Sequence, residues 1–308
     1  MKKSMKVRIA FGAVMMAVIV GLLYWDWHLQ DTSATDVIGW PMAALVALLA
    51  AVGFLEIDRM ARAVGASTLR VSGLLCTVGL ATVPVWGQAV FHIMLPMGGL
   101  EFTPVLLMTF GLMAIFFEQM AVHRTEDAMR RIAATTLGVM YVGMGSCLVL
   151  NLRVELGVPF LVLFLAAVKF TDIGAYFTGS FLGKHKLIPW LSPGKTWEGL
   201  AGGLVFAAVV SVLVAWALKI DRFGPVDHDA PLAQYLAAGV LWRYVLFGVL
   251  VGAVGQFADL CESLLKRAAG VKDSGALVPE FGGVLDIADS PLLSVPVALL
   301  FVTAMKFV

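Results

Sequence analysis

Gly199-Leu-Ala-Gly-Gly-Leu-Val-Phe-Ala-Ala-Val-Val-Ser-Val-Leu-Val-Ala-Trp-Ala-Leu218 runs without one charged residue. At about 1.5 Å per residue, a helix of this length is about 30 Å long, the thickness of a bilayer's hydrocarbon core. It is apolar around its whole circumference. A soluble protein with buried helices would show polar faces at helical spacing, and this stretch has none. Comparable runs lie near 9–25, 37–55, 71–86, 102–121, 132–151, 157–179, 236–257 and 284–306. The expected fold is therefore all-α: a polytopic transmembrane helix bundle of about nine spans. Composition agrees, with 60% hydrophobic and 14% charged residues in a chain of 308, against roughly 25% charged in a soluble domain. The segment 87–100 is apolar but holds Pro96, Gly98 and Gly99, and reads as a re-entrant or interfacial piece.

Basic residues set the orientation. One set of alternate loops holds Lys2, Lys3, Lys6 and Arg8; Arg59, Arg62 and Arg70; Arg124, Arg130 and Arg131; Lys184, Lys186 and Lys195; and Lys266, Arg267 and Lys272. The opposite loops hold only Arg153, Lys219 and Arg222, while Lys169 and Arg243 fall inside spans. The positive-inside rule then places the N-terminus in the cytoplasm and the C-terminus outside. The first run follows four basic residues as a signal peptide would, but it is long for one and no A-x-A-like cleavage site follows. It reads as an uncleaved first span. The absence of a transit segment and the compact length favour a bacterial inner membrane.

Net charge is +1, and no basic face interleaved with aromatics points to nucleic acid. Cys76, Cys147 and Cys261 are widely spaced and lie in or beside apolar runs, which suits packing rather than metal ligation or disulfides. The chain divides by chemistry into N-terminal transmembrane helices (1–156) and a C-terminal transmembrane catalytic region (157–308). Spans in the first part carry almost no charge, whereas residues 160–290 carry many. Ionisable groups at membrane depth are costly and usually mark function or a paired structural site.

Three clusters hold them. In Lys169-Phe-Thr-Asp-Ile-Gly-Ala-Tyr176, Lys169, Asp172 and Tyr176 share one helix face; a self-neutralising Lys169–Asp172 pair is the plainer reading. Gly183-Lys184-His185-Lys186 leads to Ser192-Pro-Gly-Lys195-Thr196-Trp197-Glu198-Gly199. Ser192-Pro193 reads as a turn opening a helix, with Lys195 and Thr196 in its first turn, where anions are favoured. Gly199, Gly202 and Gly203 would let another backbone approach. A positive-inside loop before a tightly packed helix would explain the same residues. The third cluster puts Asp259, Glu262, Ser263, Lys266 and Arg267 on one helix face. Lys272-Asp273-Ser274-Gly275 follows, and Gly282-Gly283 leads to Asp286 and Asp289. Carboxylates on two helix ends facing bases suit a hard cation such as Mg²⁺ with phosphate oxygens; a salt-bridge network at a membrane surface is the alternative.

These residues resemble the phosphatidate cytidylyltransferase (CDP-diacylglycerol synthase) family. Its signature has the form S-x-x-K-R-x4-K-D-x-G, then P-G-H-G-G, then D-R-x-D. Here Ser263-Leu-Leu-Lys266-Arg267 and Lys272-Asp273-Ser274-Gly275 are followed by Pro279-Glu280-Phe281-Gly282-Gly283 and Asp286-Ile287-Ala-Asp289. Asp172-Ile-Gly-Ala-Tyr176 and Ser192–Gly199 match upstream, in order. Glu280, Phe281 and Ile287 replace the family's glycine, histidine and arginine, which removes two phosphate or base contacts.

The resemblance implies transfer of CMP from CTP to phosphatidate, giving CDP-diacylglycerol and pyrophosphate in phospholipid biosynthesis. The substrates are CTP and phosphatidate, the partners membrane lipids, and a homodimer is expected by analogy. Asp259 and Asp286, helped by Asp289, would hold Mg²⁺. Asp273 would bind metal or orient Lys272. Lys195, Lys266, Arg267 and Lys272 would hold phosphates. Ser192, Thr196 and Ser263 would donate hydrogen bonds, and Asp172 and Lys169 would organise the floor of the site. Asp259, Asp286, Lys195, Lys266 and Asp273 are the expected catalytic residues, at the cytoplasmic face in a cavity open sideways to lipid. Three alternatives stay open: a CTP-dependent transferase or kinase acting on another lipid or polyprenol phosphate, a polytopic transporter, and a catalytically inactive scaffold of the same fold.

Overall fold

A computed structural model describes residues 17–29, 39–94, 103–223, 239–275 and 282–305. The four basic residues at the N-terminus, the later part of the 87–100 segment, and Pro279, Glu280 and Phe281 lie outside them. The helices are α1 (Ala17–Leu29), α2 (Trp40–Ala63), α3 (Arg70–Met94), α4 (Thr103–Glu118), α5 (Ala128–Gly138), α6 (Gly145–Leu182), α7 (Trp197–Ala217), α8 (Leu241–Ala268) and α9 (Leu285–Met305). Helices α4 and α5 each end in a wider π turn, over Gln119–His123 and Val139–Met144. The all-α transmembrane class is as the sequence predicts.

The span count of nine is not established. Among the described residues, seven helical stretches are long and apolar enough to cross a membrane. The described part of the first run, α1, is shorter than that. One stretch, Ala128–Leu182, has 55 residues, which as a straight helix would measure about 80 Å. Gly157 breaks it: φ of 84° and ψ of 171° are open to glycine and strained for any other residue. The segment from residue 87 continues as helix to Met94 rather than turning back at once.

The chain forms two compact units, Met1–Glu155 with Leu265–Ala288, and Leu156–Leu264 with Asp289–Val308. In the first, Phe54, Leu69, Leu80, Val83, Ile115, Val139 and Cys147 form the core. Helix α2 runs past the predicted end of its span, so Glu56 and Asp58 are buried helical residues rather than loop residues. Asp58 accepts from Thr68 Oγ1 at 2.7 Å and Arg70 Nε at 2.8 Å, and pairs with Arg62 at 2.9 Å. Arg153, expected in an external loop, instead sits fully buried in α6 and donates to the buried carboxylate of Asp26 in α1. The prediction failed because a span boundary drawn by hydropathy treats a charge as an exit from the membrane, and a paired charge need not be one.

In the second unit α6, α7 and α8 approach through small residues. A Cβ on Gly202 would stand 2.1 Å from Thr178 Oγ1, and one on Gly203 would stand 2.7 Å from the Thr171 carbonyl. Gly248 and Gly252 of α8 come as near to Ala207, Ser211 and Thr171. The predicted close approach along Gly199, Gly202 and Gly203 is present. Phe160, Phe223, Tyr244, Phe247 and Phe301 form an aromatic cluster with centroids 4.9–5.9 Å apart. Arg243, predicted inside a span, stands near the start of α8, where its Nη1 donates to the Phe223 carbonyl at 2.6 Å.

Two short strands precede α7: β1 (Lys186–Ile188) and β2 (Ser192–Thr196), antiparallel, with Lys186 opposite Thr196 and Ile188 opposite Ser192. This corrects the reading of Ser192-Pro193 as a helix start. Thr196, at φ −131° and ψ 156°, is extended, and its Oγ1 accepts from Gly199 N at 3.0 Å. A threonine that caps a helix sits outside it, so Lys195 precedes α7 instead of lying in its first turn.

Removing one partner of a buried ion pair strands the other charge and costs about 3–5 kcal/mol, whereas replacing both with apolar groups is far milder. Arg153→Met is therefore expected to lower the thermal midpoint in detergent sharply. The double substitution Asp26→Leu/Arg153→Met should recover most of that loss, as a double-mutant cycle would measure.

Candidate active site

Within the second unit, α6, the hairpin, the start of α7 and α8 enclose a cavity of about 510 Å³. Asp172 and Tyr176 reach it from α6, Lys186 and Lys195 from the hairpin, Thr196 from the cap of α7, and Gln256 and Asp259 from α8. Lys195 Nζ lies 2.8 Å from Asp259 Oδ2 and donates to the Gln256 carbonyl at 3.0 Å. Asp172 accepts from Gln256 Nε2 at 2.7 Å and stands 3.7 Å from Lys169 Nζ. The predicted ion pair of Lys169 and Asp172 thus exists, but Gln256 joins it, and through Gln256 the carboxylate is tied to the backbone that Lys195 also grips. Below the hairpin, Glu198 accepts from Lys184 N at 3.1 Å and faces His185 Nδ1 at 2.6 Å, which holds β1 over the start of α7.

Asp259, Glu262 and Asp289 bring one carboxylate oxygen each to within 4.8 Å of the other two. Asp259 and Glu262 stand one turn apart on α8, and Asp289 is buried in the first turns of α9. Hard oxygen donors converging at this separation match the ligand chemistry of a small divalent cation.

In the first unit a second set surrounds Asp286. Lys266 Nζ donates to its Oδ1 at 2.7 Å. Its Oδ2 accepts from Gly283 N at 2.6 Å and from Ser274 N at 2.9 Å, with Ser274 Oγ also at 2.9 Å. Ser274 Oγ lies equally near Glu56 Oε2, and one hydroxyl proton serves one acceptor at a time. Gly282 and Gly283 permit this density. Gly282 has φ of 92°, and a Cβ there would meet Asp286 Oδ2 at 2.4 Å; one on Gly283 would meet Ser274 Oγ at 2.1 Å.

A family model described as the cytidylyltransferase family matches residues 6–305. The chain belongs to the cytidylyltransferase family. It is 31% identical over 211 residues to a phosphatidate cytidylyltransferase of Staphylococcus epidermidis, covering 68% of this chain and 74% of that protein. It is 35% identical to that of Staphylococcus saprophyticus over 160 residues and 36% identical to that of Bacillus subtilis over 163. Each of these two alignments covers 52% of this chain. They span about half the length of the relatives, 55% and 54%.

Measured against the sequence-based expectations for this cytidylyltransferase-family chain, Asp172, Lys195, Thr196 and Asp259 line one cavity. Asp259 and Asp289 share one acidic cluster. Asp286 and Lys266 pair with each other in the first unit. Ser263 is buried on α8. Ser192 stands opposite Ile188 in the hairpin and is not among the lining residues. Lys272 and Asp273 are exposed, and Arg267 Nη1 lies 3.3 Å from the Val271 carbonyl. Sequence reasoning missed Gln256, which carried no charge to draw notice. It read Glu262 as part of a helix face but not as a ligand candidate. It missed Glu56 because the residue ends an apolar run and passed for the edge of a loop.

The crowding at Gly283 is testable. Gly283→Ala is expected to cost about 1–3 kcal/mol as overpacking, read as a lower thermal midpoint in detergent. Gly194→Ala, whose added methyl meets nothing within 4 Å, should leave the midpoint within about 0.5 kcal/mol of wild type.

Proposed function

We propose that the chain transfers CMP from CTP to phosphatidate, forming CDP-diacylglycerol and releasing pyrophosphate. The observation that carries this reading is a cavity lined by Lys195, Asp259, Asp172 and Gln256 in a membrane chain of the cytidylyltransferase family, whose relatives bear that name. A half-buried lysine held between Asp259 and a backbone carbonyl keeps its charge at the cavity wall, where a phosphate can meet it.

The chemistry needs no side-chain nucleophile. An oxygen of the phosphatidate phosphate, already anionic, forms a bond to the α-phosphorus of CTP. The bond from that phosphorus to the bridging oxygen of the β-phosphate breaks, and pyrophosphate leaves with the electron pair. Positioning and neutralisation of charge then carry the rate enhancement. Lys195, held by Asp259 and the Gln256 carbonyl, presents a fixed positive charge to a phosphate entering the cavity. Asp172, tethered by Gln256, keeps α6 and α8 in register at the floor. Asp259, Glu262 and Asp289 fit Mg²⁺ by donor type and separation, and bound there it would neutralise charge on the polyphosphate. Lys272 and Arg267, beside the Asp286 loop, are the remaining bases for phosphate. Asp286, saturated by Lys266 and three contacts from Ser274 and Gly283, suits a role in shaping that loop better than direct ligation.

The distribution of basic loops supports a cytoplasmic active face with the N-terminus inside, and the bacterial relatives support an inner-membrane location. The same reading carries the homodimer that the family resemblance implies.

The test is transfer of α-labelled CTP into the lipid phase by purified protein supplied with phosphatidate, with and without Mg²⁺. Metal-dependent labelling is expected, with Asp259→Asn and Asp289→Asn each lowering it at least about 100-fold. Labelling that persists at wild-type rate in both variants would remove these acids from the mechanism. A folded wild type that labels other lipid phosphates but not phosphatidate would overturn the choice of acceptor.

A further inference from the structure

The start of α9 lacks a cap of its own. Val284 precedes the first helical residue and has no side-chain acceptor for the free amides there. Glu56 supplies it from α2, more than two hundred residues earlier. Its Oε1 accepts from Val284 N at 2.8 Å and its Oε2 from Leu285 N at 2.9 Å. Glu56 is 6% exposed, and Ser274, whose Oγ makes the third contact at 2.9 Å, is 1% exposed. Ser274 is also the residue whose amide and hydroxyl lie against Asp286 Oδ2. One carboxylate therefore holds both walls of the Asp286 pocket: the helix start that carries Asp286, and the loop residue that faces it.

The surrounding glycines show how closely the pocket is built around Glu56. A Cβ on Gly275 would stand 2.4 Å from Glu56 Oε1, and one on Gly283 would stand 2.5 Å from each of its oxygens. Replacing the carboxylate with an amide keeps the size but turns a donor NH₂ toward N–H and O–H donors, so at most one side of the grip survives. A buried acid that only braces its own end of the bundle finds its partners within its own helix and the turn that follows, with no contact to the Asp286 loop. Asp58, two residues on, is of that kind and bonds Arg62, Thr68 and Arg70.

We infer that Glu56 is a positioning residue: by gripping Val284, Leu285 and Ser274 it sets where the Asp286 carboxylate and Lys266 stand. The assignment of a catalytic role to that pocket rests on the proposed CMP transfer; the grip itself does not.

The experiment compares Glu56→Gln with Asp58→Asn, two losses of a buried carboxylate on the same helix, in purified full-length protein. Amide hydrogen exchange of the 282–290 segment is measured without added metal, and transfer from CTP to phosphatidate is measured per folded protein. Glu56→Gln is expected to speed exchange in that segment at least tenfold and to lower kcat at least thirtyfold with the KM for CTP within threefold of wild type. Asp58→Asn should lower the thermal midpoint while leaving both the exchange there and kcat near wild type. Should Glu56→Gln fail to fold, Gly275→Ala displaces the same carboxylate without removing it and should show the same pattern. Unchanged exchange at 282–290, or equal losses of kcat in the two variants, would overturn the inference. No transfer by wild type would overturn the reaction instead, and the exchange comparison would still decide whether Glu56 holds the loop.

Discussion

A carboxylate inside an apolar helix bundle must find a cation or several N–H and O–H donors, because there is no water to share its charge. Six acids in this chain find such partners, four of them buried or nearly so and two, Asp172 and Asp259, about a third exposed at the cavity. Asp26 takes Arg153, and Asp58 takes Arg62, Arg70 and Thr68. Glu56 takes two backbone amides and Ser274, and Asp286 takes Lys266 with the amides of Gly283 and Ser274. Asp172 and Asp259 are met by Gln256 and Lys195. Most of these partners are remote in sequence, so each satisfied acid also ties one helix to another. Helix order and loop shape follow from where those ties fall.

Asp259 also belongs to a second grouping, with Glu262 and Asp289. Here three carboxylates bring one oxygen each to within 4.8 Å of the others, and Lys195 meets Asp259 from the hairpin. Packing could have separated them by one turn of either helix. The glycine-lined approach of α6, α7 and α8 brings three backbones close enough that Asp172, Lys195 and Asp259, borne on three different elements, share one cavity.

The membrane class was legible in the sequence, and so were Asp172, Lys195, Thr196 and Asp259, which the structure brings to one cavity. Uncharged runs of helical span length have one physical interpretation, and acids with bases beyond residue 160 break that pattern visibly. Three things were not legible. Arg153 was taken for a loop residue, because hydropathy scores a charge without knowing that Asp26 will neutralise it. Lys195 was placed inside a helix, because Ser-Pro is a common helix opening; the hairpin with Lys186–Ile188 forms instead, and Thr196 is the actual cap. Glu56 looked like the polar end of a span, and its partners are some 220 residues away.

By itself the sequence determined the properties that are sums over local residues: helical spans, their apolar surfaces, and the inventory of acids, lysines and glycines near the C-terminal end. Those depend on periodicity and transfer energy, which are read within a window of about twenty residues. Only the tertiary structure decided which acid meets which base. It gave Asp286 to Lys266 and Ser274, set Asp259 with Glu262 and Asp289, and brought Glu56 from α2 to the start of α9. Pairing energies fall off over a few ångströms, so the role of each carboxylate follows from distances that the order of residues along the chain does not contain.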